Sequence, residues 1–353
     1  MESRQRKGRA TLKEIAQEAG VSICTASVVL NNSSSGSRIS AKTRESVLEI
    51  ASRLGYRANQ IAQSLNAGRT RVIGIVPAAA ETNIMLGPHL QHVLNGVANE
   101  TEKQGYDISL ITRCDQSNVA SLIDVLMGGR LDGVIVVAPR TGSKLVSVLQ
   151  REGLPLAVID GDPEECAQIF MVDNASAVES AVRHLYDLGH RSIGHIAGDQ
   201  RLYEGRARKD RFFEVTARLG MRVDLRWVQL GGFEFDGGRI GMKRILQGPT
   251  QPTAVFCGND EMAFGALQAA QAMGLRVPED ISIVGFDDVP MASYATPALT
   301  TVRQPVDEIA RAAAAALLAG IEHGTAVQGQ TFPGELMQRR TTAEISAQMG
   351  IAE

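Results

Sequence analysis

No apolar run in these 353 residues is long enough to cross a membrane, and the basic residues at the start are not followed by the apolar segment that a secretory signal needs. Membrane and export classes are set aside, and a cytoplasmic protein is expected. Four cysteines, Cys24, Cys114, Cys166 and Cys257, are too far apart for metal-ligand or redox-pair spacing. They read as free thiols, which suits a reducing compartment. Gly-Xaa-Ser-Xaa-Gly, a Walker loop and His-rich ligand spacing are all missing. An enzyme is therefore not expected, and catalytic residues, metal ligands and cofactors are each expected to be none. Bulk disorder is excluded as well, because 44% hydrophobic and 21% charged residues is an ordinary globular balance over a length that allows two or three domains.

What is present is unevenly charged. Residues 1–71 hold 12 Lys and Arg against 5 Asp and Glu, while the remainder holds 24 against 34, so a formal charge of -3 conceals a basic head and an acidic body. Arg4, Arg6, Lys7 and Arg9 form a basic arm suited either to solubility or to phosphate contacts. Leu12 to Asn31 reads as two short helices joined by a tight turn. Thr11 and Glu14 have capping-box spacing, Gly20 ends the first helix, and Ser22 caps a second from Ile23 to Leu30. Ile15, Ala16, Ala19, Val21, Ala26, Val29 and Leu30 can share a core, leaving Ile23, Cys24, Thr25, Ser27 and Val28 on or near an outer face short enough for a major groove. A third helix, Ala41 to Leu54, is capped by Ser40 and closed by Gly55, with Val47, Leu48, Ala51 and Leu54 at helical spacing. Between Gly55 and Arg71, Asn59 can cap a brief helix carrying Ile61, Ala62 and Leu65; the segment reads either as a plain linker or as a hinge that orders on DNA with Leu65 wedged between base steps.

After Arg71, β-branched runs alternate with helical segments in two series. Val72–Val76, Ile108–Thr112, Val134–Ala138 and Leu156–Ile159 form the first; Ser192–Ala197, Val228–Leu230, Ala254–Cys257 and Ile281–Phe286 form the second. Each predicts a doubly wound parallel sheet, so the fold class is α/β with two similar subdomains behind a three-helix, helix-turn-helix head. The segment from Thr300, with the Ala-rich helix Asp307–Leu318, is expected to cross back between them. Open α/β sheets bind ligands outside the carboxyl ends of their strands. Asp160, Asn259 and Asp287 each follow a strand, and Arg206 begins the helix after the strand ending at Ala197. Converging carboxylates, an amide and a guanidinium suit a polyhydroxylated ligand, and Phe233 offers a stacking face. Each residue alone could be a helix cap or loop ion pair; together they point to a cleft. His195, Trp227 and Tyr203 read as packing or surface residues. A secreted solute-binding protein would share such a cleft but predicts a signal peptide and no basic helical head.

Thr11 to Asn31, Ser40–Glu45, Asn59–Leu65, Asn259-Asp260, Val284-Gly-Phe-Asp-Asp288 and Leu299-Thr-Thr-Val-Arg-Gln-Pro305 together resemble the lac repressor (LacI) family of bacterial transcription regulators, in the family's order and over nearly the whole chain. The resemblance implies a DNA-binding head at 1–58, a hinge helix at 59–70 and a core at 71–353 like periplasmic sugar-binding proteins, with lobes formed by 71–172 plus 304–333 and by 173–303 plus 334–353. It implies a homodimeric repressor on a pseudo-palindromic double-stranded operator, controlled by a small effector, a sugar or sugar derivative. Carried onto this chain, Ile23 and Cys24 stand where bases are read, Thr25 and Ser27 where the backbone is met, and Leu65 where a leucine intercalates; Val28, Asn31, Asn59 and Ala62 belong to the same DNA-facing set. Asp160, Arg206, Phe233, Asn259 and Asp287 match effector positions. Val28 stands where the family often has arginine, Ala58 replaces a common proline, the loop Asn31–Arg38 is longer than usual, and Ala78–His89 fits poorly, so no pocket residue is named there. Neither Ile23 nor Cys24 can make bidentate bonds to guanine or adenine, so readout is expected to lean on thymine methyls and DNA deformation. The chain carries no leucine-heptad tail, which makes a dimer the expectation and not a tetramer.

Overall fold

The computed structural model describes residues 10–30, 39–56, 68–77, 87–112 and 119–345. The basic arm, Asn31, Asn59, Ala62, Leu65 and most of the 78–89 loop lie outside the described residues. The chain divides into two compact units, Met1–Arg71 and Val72–Glu353.

The head contains α1 (Leu12–Glu18), α2 (Ile23–Leu30) and α3 (Ala41–Arg53). Its turns follow from local chemistry. The Thr11 amide donates to Glu14 Oε2 at 2.7 Å and Thr11 Oγ1 accepts from the Glu14 amide at 3.3 Å, so the capping box is closed from both sides. Gly20, at φ 64°, then lets the Val21 amide return to the Ala16 carbonyl at 3.0 Å. Ser22 and Ser40 accept from Thr25 and Thr43 amides to start α2 and α3. Ile15, Ala16, Ala26, Val29, Val47 and Ala51 are buried together. Leu48 and Leu54, expected on the packed face of α3, are exposed instead. The buried stripe is centred on the i, i+4 pair Val47 and Ala51 with Ile50 beside it, which leaves Leu48 one step around the helix and Leu54 beyond its last turn.

The second unit holds two parallel sheets. In the first, β1 (Val72–Val76), β2 (Asp107–Leu110), β3 (Gly133–Val137), β4 (Leu156–Ile159) and β5 (Ile169–Val172) are joined at the edge by β11 (Gln330–Phe332), in the order β11-β5-β4-β3-β1-β2. In the second, β6 (Ile193–Ala197), β7 (Val228–Leu230), β8 (Ala254–Cys257) and β9 (Ser282–Val284) run β7-β6-β8-β9. All eight strands expected from β-branched runs are present; β5 is additional. It follows β4 through a short loop with no helix between them, and so breaks the alternation by which the others were visible. An antiparallel pair, β10 (Thr301–Arg303) and β12 (Glu335–Met337), lies where the chain passes between lobes.

Two long helices of the first lobe, α4 (Pro88–Lys103) and α12 (Val306–His323), cross at Gly96. A Cβ at Gly96 would stand 2.6 Å from the Ala310 Cβ and 2.7 Å from the Asp307 carbonyl oxygen. Glycine inside a helix costs roughly 1 kcal/mol relative to alanine, and here the close approach of two backbones offsets that cost. Gly96→Val is therefore expected to destabilise the core by about 1–3 kcal/mol through overpacking, seen as a lower denaturant midpoint; an unchanged midpoint would mean the helices part freely.

Candidate functional site

Strand order reverses between β1 and β3 in one sheet and between β6 and β8 in the other, and the chain ends leaving those strands diverge there to make a crevice. From these ends come the residues that matter: His89 at the start of α4, Asp160 after β4, Glu204 and Arg208 on α8 (Tyr203–Arg218), Gly258 and Asn259 after β8, and Asp287 after β9. Asp160, Phe233 and Asp287 have φ of 55°, 68° and 127°, a left-handed backbone that non-glycine residues adopt only where surroundings hold them. For Phe233 the restraint is visible. Asn259 Nδ2 donates to the Phe233 carbonyl at 3.1 Å, and the ring lies so close to Gly198 that a Cβ there would be 2.1 Å from its Cζ.

Arg208 is the centre of the cluster. It is 4% exposed; its Nε donates to Asn174 Oδ1 at 2.8 Å and its Nη1 to the Gly258 carbonyl at 2.8 Å, with Asp287 Oδ1 3.8 Å away and the Phe286 ring centroid 3.8 Å from the guanidinium carbon. Burial lowers its pKa, opposed by the charges of Asp287, Glu204 and Asp160. Asp287 is pushed up by burial against the pull of Arg208 and His89, and its Oδ1 accepts from Gln304 Nε2 at 2.6 Å. His89 Nε2 pairs with Asp160 Oδ2 at 2.9 Å. Burial works against that imidazolium, but the hydrogen bond and charge of Asp160, with Asp287 behind them, leave the histidine above its ordinary pKa. Asp260, beneath, accepts from Thr301 Oγ1 at 2.5 Å and from the Val289 amide at 3.0 Å; Gly285 leaves it room, since a Cβ there would be 2.2 Å from Oδ1. Burial, then the charge of Asp287, drives the Asp260 carboxyl well up.

Three oxygens in this group, Asp160 Oδ1, Glu204 Oε1 and Gln304 Oε1, are buried without a hydrogen-bond partner among the described residues. An unpaired buried polar atom costs about 1–3 kcal/mol, so three together call for partners that the described residues do not supply. A neighbouring groove of about 590 Å³, lined by Met171, Tyr203, Asp210 and Thr331 among others, shares Asn174 and Arg206 with the crevice but contains none of these oxygens.

Among the expected effector residues, Asp160 and Asp287 sit in the cluster. Asn259 caps α10 (Asp260–Ala272) by accepting from the Met262 amide at 2.9 Å and holds Phe233 with its other end, so its amide serves the chain first. The arginine in the cluster is Arg208, not Arg206. Two residues along a helix turn a side chain about 200°, and Arg206 points instead to the first lobe, where its Nη2 donates to Thr141 Oγ1 at 2.8 Å and Asp162 Oδ2 at 3.2 Å. With the Thr141 amide on the Arg201 carbonyl at 3.0 Å, these bonds form a clasp between the lobes at the rim of the crevice. His89, Asn174, Glu204 and Gln304 escaped the sequence reading as well.

In the head, α2 turns Ile23 and Cys24 to solvent and keeps Thr25, Ser27 and Val28 half-buried. Thr25 Oγ1 lies 2.8 Å from Ser22 Oγ. The helix has no charged side chain.

Glu204 yields a test of these electrostatics. Burial, and after it the charge of Asp160, raises its pKa to about 7. Between the ordinary glutamate value and 7, the folded state keeps a proton that the unfolded state has lost, so this contribution to stability is whole in acid and disappears as pH rises through 7. Glu204→Gln should thus gain on the wild type as pH rises from 4 to 7 and level off above it, by on the order of 3 kcal/mol, in urea melts at each pH; a gap that does not move with pH would contradict the assignment.

Residues 11–59 match the family of bacterial regulatory proteins, lacI family, and residues 182–342 match the periplasmic binding protein-like domain. The HTH-type transcriptional repressor PurR of Pasteurella multocida is 34% identical over 298 residues, covering 84% of this chain and 87% of the relative. The lac repressor dimer bound to operator and the anti-inducer ONPF superposes with a TM-score of 0.83 at 26% identity, over 95% of this chain and 99% of that one. The transcriptional regulator CelR–cellobiose complex gives 0.72 at 30% identity, over 94% and 100%.

Proposed function

We propose that this chain, which belongs to the lacI family of bacterial regulatory proteins, represses transcription by binding an operator through its head, under the control of a small metabolite held in the crevice between its core lobes. Members of that family are regulators and not enzymes. The observation that carries the control is the set of three buried oxygens beside the His89–Asp160 and Arg208–Asp287 pairs, on Asp160, Glu204 and Gln304, that have no partner among the described residues, because no packing role explains them. Hydroxyl donors on a carbohydrate would satisfy them, and a structural relative was solved with cellobiose.

The division of labour follows as residues 1–58 for DNA, 59–70 for the hinge with Leu65, Asn59 and Ala62 at the minor groove, and 71–353 for the effector and for pairing two copies. Lobes of 71–172 with 304–333 and 173–303 with 334–353 close on the ligand. Asp160, Asp287, Arg208, Glu204 and Gln304 bind it, Phe233 stacks on it, Asn259 positions Phe233, and Arg206 clasps the rim. Two copies on a pseudo-palindrome fit the lac repressor relative, which was solved as a dimer on operator. Ile23, Cys24 and Val28 meet base edges and Thr25, Ser27 and Asn31 the backbone. With no charged reader on α2, affinity comes from the basic head and specificity from apolar contact and DNA shape.

Selection of duplexes from a random pool tests this. The full chain is expected to enrich one pseudo-palindromic sequence, to lose affinity by at least about tenfold between low and moderate salt, and to lose preference at thymine positions in Ile23→Ala. Equal binding of selected and random duplexes would overturn it.

A further inference from the structure

On the reading that the crevice is the effector site, the structure assigns to Glu204 a role in selecting the ligand's charge: with Asp160 and Gln304 it accepts hydroxyl or amino donors from an uncharged molecule, and it turns away the phosphorylated or carboxylated form of that molecule. An acidic residue in the first turn of a helix ordinarily faces solvent and complements the helix dipole. Glu204 occupies that position on α8 yet is 5% exposed, and its Oε1 has no partner among the described residues.

Its surroundings determine what it can accept. The groups whose charge reaches Glu204 are Asp160, Arg208 and His89. Both cations are already engaged: Arg208 has two of its three nitrogens on the chain and His89 is paired with Asp160. Asp160, Glu204, Asp260 and Asp287 stand against two cations, and burial already pushes Glu204, Asp260 and Asp287 toward the protonated form, so the cluster holds no spare positive charge. An incoming phosphate or carboxylate would be stripped of water beside carboxyl groups, with both Arg208 and His89 already committed to partners. A hydroxyl or amino group entering the same place pairs the orphaned Asp160 Oδ1, Glu204 Oε1 and Gln304 Oε1. The unpaired oxygens and the absence of spare positive charge thus favour polar ligands without negative charge.

Matched pairs test the assignment: ribose with ribose 5-phosphate, trehalose with trehalose 6-phosphate, cellobiose with cellobionate, and adenosine with adenosine 5′-monophosphate. Each is titrated into the full chain by calorimetry, wild type and Glu204→Gln. Within any pair that binds, the neutral member should bind at least about a hundredfold more tightly, and Glu204→Gln should weaken it by about tenfold while narrowing the gap. An anionic member that binds the wild type as well as its parent overturns the role of Glu204 while leaving the effector site standing, and so does a gap that Glu204→Gln leaves unchanged. The wild-type comparison holds even should the variant fail to fold. No heat from any of the eight compounds would overturn this assignment for sugars and nucleosides, while the effector reading itself stands or falls on the coupling of ligand and duplex binding.

Discussion

A guanidinium withdrawn from water must be answered by its neighbours, and around Arg208 most of the core is arranged to do so. Stripping an ion of solvent costs several kcal/mol, recovered only where partners are well placed. The partners come from three chain segments: Asn174 at the start of a helix, the Gly258 carbonyl, and the neighbours Phe286 and Asp287, one offering its ring face and the other its carboxylate. Across the crevice the His89–Asp160 pair repeats the arrangement with charges from the first lobe. Left-handed backbone at Asp160, Phe233 and Asp287 follows from it, because each residue must turn back from a strand end to present its side chain or ring.

The cluster sits where the lobes meet, so relative movement of the lobes changes its solvation. Arg206, with Thr141 and Asp162, ties the rim from the opposite side of the same helix that carries Glu204 and Arg208 inward. One helix thus bears both the ligand-facing groups and the clasp, and a ligand that alters the first bears on the second. On the proposed effector role, opening that clasp is the change a bound ligand would have to drive, as allosteric control requires two arrangements of unequal affinity. The net basic and net acidic charge fall in separate units of the chain, so the net attraction to phosphate belongs to the head.

Much of this was legible in the residues. β-branched runs marked eight strands, and the polar residues punctuating them, Asp160 and Asp287, lie in the cluster because a strand's end is fixed by its sequence. The choice between Arg206 and Arg208 was not legible, since it depends on which face of α8 the second sheet covers. Glu204 carried the pattern of an ordinary first-turn acid, and only burial distinguishes it. His89 begins a helix behind a segment with no recognisable pattern, and Gln304 lies in a crossing between lobes, where neither strand nor helix periodicity applies. Asn259 was visible as a polar strand end, but its use as the cap that fixes Phe233 depends on a tertiary contact. In the head, caps and turn glycines were readable because they act within four residues; the exposure of Leu48 and Leu54 depends on how three helices meet.

The central claim is that occupancy of the crevice and grip on DNA are coupled, and such coupling is reciprocal. It is tested most directly by calorimetric titration of the tightest-binding small molecule into the full chain, once free and once saturated with its selected duplex. The account predicts that the two dissociation constants differ by roughly 5- to 150-fold, and that the same factor separates duplex affinities with and without the molecule. Identical dissociation constants for free and DNA-bound protein would contradict it.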